Sequence, residues 1–165
     1  MTVEINYDGW KFYNEMMAKY GEYGENHFIY DYGYEMVNVD AIKGLSYPGV
    51  LRQEKLDRLY HSVKRKGYLF TRCRDLHLYC LPDRTYTVCT GGNHRPYLAK
   101  HLNIKKIRAS IEIVIPTELL TNKEVKACKK ILEASEVGVD TTHPYFLELC
   151  ERYNLIPSSV KVNIR

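Results

Sequence analysis

The sequence predicts an α/β fold of the α+β type, a small mixed sheet with packed helices and helical extensions at both ends. Two observations carry that expectation. Apolar stripes at three- and four-residue spacing alternate with Tyr-, Thr-, Val- and Ile-rich runs, and at residues 87–102 a strand, a glycine turn and a helix follow without interruption. The chain has 165 residues, 45% of them hydrophobic and 27% charged. A globule of that length removes roughly 70% of its unfolded surface from water, so it needs no metal or cystine staple.

The first helix is expected over Asp8–Tyr20, where Trp10, Tyr13, Met17 and Tyr20 share one face and Asp8 is placed to cap. Gly21 and Gly24 end it. Residues 23–34 are aromatic and Gly-punctuated without a period and read as loop or irregular strand; Met36–Ile42 reads as a short strand. Tyr47–Arg52 is a turn by its Pro-Gly pair, and the helix after it carries the stripe Leu56, Leu59, Tyr60, Val63 and ends at Gly67. Tyr68–Leu81 and Thr85–Thr90 are β-rich runs joined through Pro82-Asp83-Arg84, a hairpin turn. A helix over Asn93–Leu102 has Asn93 as N-cap and Pro96 in its first turn, and Ile107–Ile115 alternates as a strand should. Beyond Pro116, Thr121 and Glu124 form a capping-box pair before the stripe Val125, Cys128, Ile131, Leu132, and a last helix from about Thr142 buries Phe146, Leu149, Cys150 and Tyr153. The division is 1–35, a helical, Tyr-rich extension; 36–116, the central domain; and 117–165, a helical extension.

Five cysteines (Cys73, Cys80, Cys89, Cys128, Cys150) occur with no CxxC pair, which excludes a complete disulfide framework and points to reduced thiols in the cytoplasm. No run of about 18 apolar residues occurs, and the opening residues lack an export signature, so neither secretion nor a membrane span is expected. A net charge of +4 permits contact with phosphates without the density of a dedicated nucleic-acid binder.

The most informative stretch is Thr87-Val-Cys-Thr-Gly-Gly-Asn-His-Arg-Pro-Tyr-Leu-Ala-Lys-His-Leu102. Glycines allow close backbone approach, first-turn N–H groups lack intrahelical partners, and the helix dipole adds to them, so such a turn can hold an anion. His94 and Arg95 would add positive donors, Arg95 through two N–H groups at once. The plain alternative is that Gly91-Gly92 joins strand to helix and Asn93 caps.

The succession of strand, Tyr-Pro-Gly-Val-Leu-Arg, helix, hairpin, Gly-Gly-Asn-His-Arg-x-x-x-Ala and strand resembles the N-terminal domain of ParB-class partition proteins and of sulfiredoxins, over about residues 36–116. Pro48–Arg52 resembles the ParB arginine box, and Gly92, Arg95 and Ala99 match its Gly-Glu-Arg-Arg box, while the form Gly-Asn-His-Arg is closer to ParB-like proteins labelled nucleases. The resemblance implies nucleoside-phosphate binding by Arg52, Gly91, Gly92, Asn93, His94 and Arg95, with CTP or ATP and Mg2+, and it admits NTP hydrolysis or phosphoryl transfer. Sulfiredoxins place their nucleophilic cysteine where this chain has Asn93; a carboxamide is no substitute for a thiolate, so that chemistry is not expected. ParB-like domains also pair when liganded, which makes a homodimer one expectation.

Other candidates are weaker. Cys73, His77, Cys80 and Cys89 could suggest zinc, but Cys73 and Cys80 differ in strand parity, so no metal is expected there. Arg72 and Arg74 face a phosphate or the solvent; Asp75 and Asp83 are the carboxylates nearest in sequence for Mg2+, with turn chemistry an equal account of Asp83. His101 is read as a surface residue rather than a catalyst; Glu35, Asp40 and Glu54 are the carboxylates that the resemblance offers as a general base, since some ParB-like proteins act as small-molecule kinases, with a helix-start role an equal account of Glu54. Lys123, Lys126, Lys129 and Lys130 line one face as solvated charge or a DNA contact. Two rival functions stand beside nucleotide binding: a DNA-binding or nuclease-like protein, and a non-catalytic bacterial phage or mobile-element protein that meets a host protein through Tyr23, Tyr30, Tyr32 and Tyr34.

Overall fold

Ile107, Ala109, Ile111, Ile113 and Ile115 all lie buried on one face, the period of two that a half-covered strand demands. The computed structural model describes residues 3–66 and 76–157. Its elements are β1 (Lys11–Phe12), α1 (Tyr13–Met17), β2 (His27–Asn38), β3 (Ile42–Leu45), α2 (Gln53–Lys66), β4 (His77–Cys80), β5 (Tyr86–Val88), α3 (His94–His101), β6 (Lys106–Pro116), α4 (Asn122–Ala134) and α5 (Pro144–Arg152).

The fold is mixed α/β, a six-stranded mixed sheet in the order β1-β3-β5-β4-β6-β2. β6 pairs antiparallel with β2 and parallel with β4; β4 and β5 form an antiparallel hairpin; β1, β3 and β5 are parallel neighbours. Four helices cover one face, where Leu56, Leu98, Cys128, Phe146 and Leu149 join the β6 isoleucines in a single apolar core. A smaller cluster of Met16, Met17, Tyr20, Leu81 and Val114 covers part of the other face. No helix among the described residues is long and apolar enough to cross a membrane.

Several expectations are corrected. The first helix starts at Tyr13 and lasts five residues before a 3-10 turn over 18–20, because Lys11 and Phe12 pair as a strand with β3 and Asp8 caps nothing. Of the two readings of residues 23–34, irregular strand holds for 27–34, the first part of the twelve-residue β2, whose register with β6 shifts at a bulge between Asp31 and Gly33; that shift and the half-buried tyrosines packed against the core hide the period. The strand expected over Met36–Ile42 is broken by a 3-10 turn at 39–41. β1 and most of β2 precede residue 36 and belong to the same six-stranded sheet. The readings of Gly67, Tyr68, Phe70, Arg72, Cys73, Arg74 and Asp75 lie outside the described residues.

The hairpin turn is as expected: Asp83 Oδ1 accepts from Thr85 N at 3.0 Å and from its hydroxyl at 2.6 Å, and Arg84 takes φ +71°. Arg84 Nη2 donates to Asn154 O at 2.8 Å and its other terminal nitrogen donates to Ile156 O, clasping the end of α5 onto the sheet.

The capping box of α4 is also present. Thr121 N donates to Glu124 Oε1 at 2.8 Å and Glu124 N to Thr121 Oγ1 at 3.2 Å, and Arg152 and Tyr153 from the end of α5 donate to the same carboxylate. Burial would raise this carboxyl, but the hydrogen bonds from Thr121, Tyr153 and Arg152 outweigh it and hold it at about 2. A depressed carboxyl stabilises the fold above its unfolded value of about 4.3 and loses that contribution as pH falls toward the folded value. Glu124→Gln should therefore cost about 1–3 kcal/mol in urea unfolding at pH 7, and the gap to the parent protein should close between about pH 4 and pH 2. An equal gap at both ends of that range would show that the carboxylate charge contributes nothing.

Candidate functional site

Three parallel neighbouring strands, β1, β3 and β5, each run into a helix, so the starts of α1, α2 and α3 lie along one edge of the sheet. In open α/β sheets the crevice outside the carboxyl ends of such strands is where ligands bind. The loops that matter are 46–52, from β3 to α2, and 89–93, from β5 to α3.

Asn93 joins the two loops. Its side chain is buried, with Oδ1 accepting from Ser46 N at 2.7 Å and Nδ2 donating to Ser46 Oγ at 2.9 Å and to Thr90 O at 3.1 Å. The expected N-cap role is thereby corrected: Asn93 itself has helical torsions and makes no side-chain cap bond, because its amide reaches sideways to the neighbouring loop. The second link is Arg52 N, which donates to His94 Nε2 at 2.9 Å. Burial first, then the charges of Lys55 and Arg52, push the His94 imidazole below its ordinary value. His94 is thus a neutral acceptor here, where a positive donor was expected. The positive charge of the site comes from Arg52, Lys55 and Arg95.

The glycine turn itself is built as expected. Gly92 takes φ +89°, which favours glycine, and Arg95 N donates back to Gly92 O at 3.3 Å. Pro96 removes one more first-turn donor. The backbone face left for an anion is therefore the Gly91–His94 stretch. Gly91 is exposed, and a Cβ added to it would meet nothing within 4 Å, so the space above it is open.

Residues without a local signature brace these loops. Tyr7 Oη accepts from Leu51 N at 2.9 Å; Tyr97 Oη donates to Glu4 O at 2.6 Å and accepts from Asn6 N at 2.8 Å; Gln53 Nε2 donates to Val3 O at 2.8 Å. Ser46 is revealed only by its bonds to Asn93, and Tyr7 and Tyr97 only by the tertiary return of residues 3–7. Lys100 adds a cation–π contact over Trp10 at 4.3 Å.

The remaining candidates fall elsewhere. Asp83 sits at the opposite end of β5 from the glycine turn, so turn chemistry is its role. Glu54 stands exposed in the first turn of α2, and His101 is exposed at the last position of α3. Lys129 pairs with Glu25 at 3.2 Å, which ties one of the α4 lysines to the 22–26 turn. Burial pushes the thiol of Cys80 up to about 11 and those of Cys128 and Cys150 up to about 12, and it also raises that of Cys89, whose Sγ lies 3.6 Å from His77 O. None of these four is a thiolate at neutral pH. Among the described residues no group of three His, Cys, Asp or Glu side chains is arranged to hold a metal. Of the tyrosines expected to form a partner surface, Tyr30, Tyr32 and Tyr34 lie on β2 and Tyr23 precedes it; Tyr23, Tyr30 and Tyr32 pack against the core, and Tyr34 is exposed, with the Arg108 guanidinium 4.7 Å over its ring.

No family model and no curated protein matches the chain. Among solved structures it is similar to the crystal structure of the C-terminally truncated chromosome-partitioning protein ParB from Caulobacter crescentus complexed with CTP-gamma-S, at 19% identity and a TM-score of 0.36. That match covers 62% of this chain and spans about half, 53%, of the ParB chain.

Proposed function

We propose that the chain binds a nucleoside phosphate, CTP or ATP, at the glycine turn, with the Gly91–His94 backbone donating to the phosphates and Arg52 and Arg95 supplying their counter-charge. The observation that carries the reading is the cross-bracing of the two loops: Asn93 to Ser46 and His94 to Arg52 hold two cationic helix starts at one position on the strand edge. Preorganised donors need no reordering when the ligand arrives, which is what makes a backbone anion site effective. Mg2+ would travel with the phosphates, since that ion keeps several waters and takes few protein ligands. The carboxylate nearest in sequence to Arg52 is Glu54.

The test is thermal unfolding with CTP, ATP, GTP and UTP, each with and without Mg2+. A ligand at one hundred times its Kd adds about 2.7 kcal/mol, a rise of roughly 5–10 °C for a chain of this size. Arg95→Ala should remove at least nine-tenths of the affinity. Gly91→Ala should leave the apo melting point within about 1–2 °C, since its Cβ meets nothing, while weakening a nucleotide held by close backbone approach. A flat response to all four nucleotides, or an unchanged response in Arg95→Ala, would overturn the assignment. Duplex DNA is the competing ligand for the same cations and is told apart by a steep loss of affinity with salt.

A further inference from the structure

The face of the sheet turned away from α2–α5 carries a row fixed by strand register: Gly44 opposite Thr87, Thr87 opposite Tyr79, Tyr79 opposite Glu112, and Glu112 opposite Asp31. Paired residues share a face, so this row crosses five strands on one side of the sheet. At its Tyr79–Glu112 end is a cavity of about 470 Å3, lined by Tyr13, Met17, Tyr23, His27, Ile29, Tyr79 and Glu112 among others. Its size and aromatic walls are those of a small-molecule pocket, with one acid set among them.

The charge of this cavity is unbalanced. Glu112 is half-buried, and directly across the ladder stands a second carboxylate, Asp31, an arrangement that costs stability. Among the described residues no Lys or Arg forms an ion pair with Glu112. Burial, then the Asp31 charge, raises its carboxyl above the ordinary range, while His77 on β4 acts in the opposite direction. The basic group in the wall, His27, is 4% exposed, with Nδ1 2.8 Å from Tyr20 O, and burial lowers it, so it is a neutral wall. Tyr13 and Tyr79 pack with ring centroids 5.6 Å apart at 54°, and burial raises both phenols, which keeps their π faces uncharged.

We propose that this cavity binds an organic cation, an ammonium or guanidinium head on an apolar or aromatic body, with Glu112 as counter-ion and the rings of Tyr13 and Tyr79 beside it. The head would relieve the repulsion between Glu112 and Asp31, the rings would attract it through their quadrupoles, and the body would cover Ile29 and Met17. An anion is excluded by the two carboxylates. The head can belong to a free amine or to a Lys or Arg side chain of a protein; the chemistry of recognition is the same.

Isothermal titration and amide chemical-shift mapping on the full chain test this with phenethylammonium and benzamidinium against two isosteres, 3-phenylpropionate and 3-phenylpropanol. Millimolar or tighter binding of the cations is expected, with shifts centred on Tyr13, Met17, Gly21, Tyr79 and Glu112, at least ten times weaker binding of both isosteres, and a tenfold or greater loss in Glu112→Gln. Asp31→Asn, an exposed change that leaves the wall intact, should lose about two- to fivefold, and it keeps the test decisive where Glu112→Gln fails to fold. Arg95→Ala should leave cation binding unchanged, which separates this result from the fate of the proposed nucleotide site. Tighter binding of N-acetyl-lysine and N-acetyl-arginine methylamides than of the aryl amines would name a protein side chain as the source, and the reverse order a free amine; either supports the proposal. Equal binding of cation and isosteres, or of parent and both acid variants, would overturn it.

Discussion

Asn93→Ala should unfold at a temperature roughly 5–12 °C below the parent and should bind no nucleotide measurably. The substitution strips Ser46 N of its acceptor in a buried setting and takes a donor from the carbonyl of the exposed Thr90, which together cost about 2–3 kcal/mol. At 2–4 °C per kcal/mol for a chain of this length, the sum accounts for the drop. Asn93→Asp is the sharper variant, because a carboxylate can still accept from Ser46 N yet cannot donate to Thr90 O. It should fall between parent and alanine in stability while adding a negative charge at the proposed phosphate site. Differential scanning calorimetry with and without CTP reads both quantities. If Asn93→Ala melts with the parent, the amide bridge does not brace the loops, and the preorganisation argument goes with it.

Gly44→Ala should produce the second large loss, about 2–4 kcal/mol, seen as a melting point lower by some 5–12 °C or as insoluble expression. A Cβ at Gly44 would collide with the Thr87 side chain and the Met16 sulfur. Thr87 stands on the central strand β5 and is fully buried, so it cannot swing away; Met16 is flexible and can. Adding Thr87→Ala and Met16→Ala should recover part of the loss. Full stability in Gly44→Ala alone would mean that α1 does not sit against this face of β3.

The parts of the molecule legible in the sequence were those governed by a local rule. The alternation at Ile107–Ile115, the stripe of α2, the Thr121–Glu124 box and the Asp83 turn each express a period or a cap that neighbours in sequence can satisfy alone. Where the outcome depends on distant partners, no local pattern announces it. Lys11-Phe12 is a strand because β3 lies beside it, and Asn93 abandons its cap because Ser46, 47 residues away, offers both a donor and an acceptor. His94 reads as a cation until Arg52 N is found against Nε2 and burial lowers its basicity. The position of the glycine turn was legible; the electrostatic sign of its histidine was not. Glu112 drew no attention because an acid alternating with isoleucines looks like the wet side of a strand, and only pairing with β2 and β4 sets it between Asp31 and Tyr79.

The strap formed by residues 3–7 has a kinetic meaning. Its bonds to Tyr97 join residues 93 and 91 positions apart, and those to Gln53 and Leu51 span 50 and 44. Closing such long loops is entropically costly and comes after local helices and the β4–β5 hairpin have formed. The rims of the candidate site thus depend on long-range contacts. Loss of those few hydrogen bonds would loosen both rims while leaving the isoleucine core of β6 in place, so the site can open without the molecule coming apart.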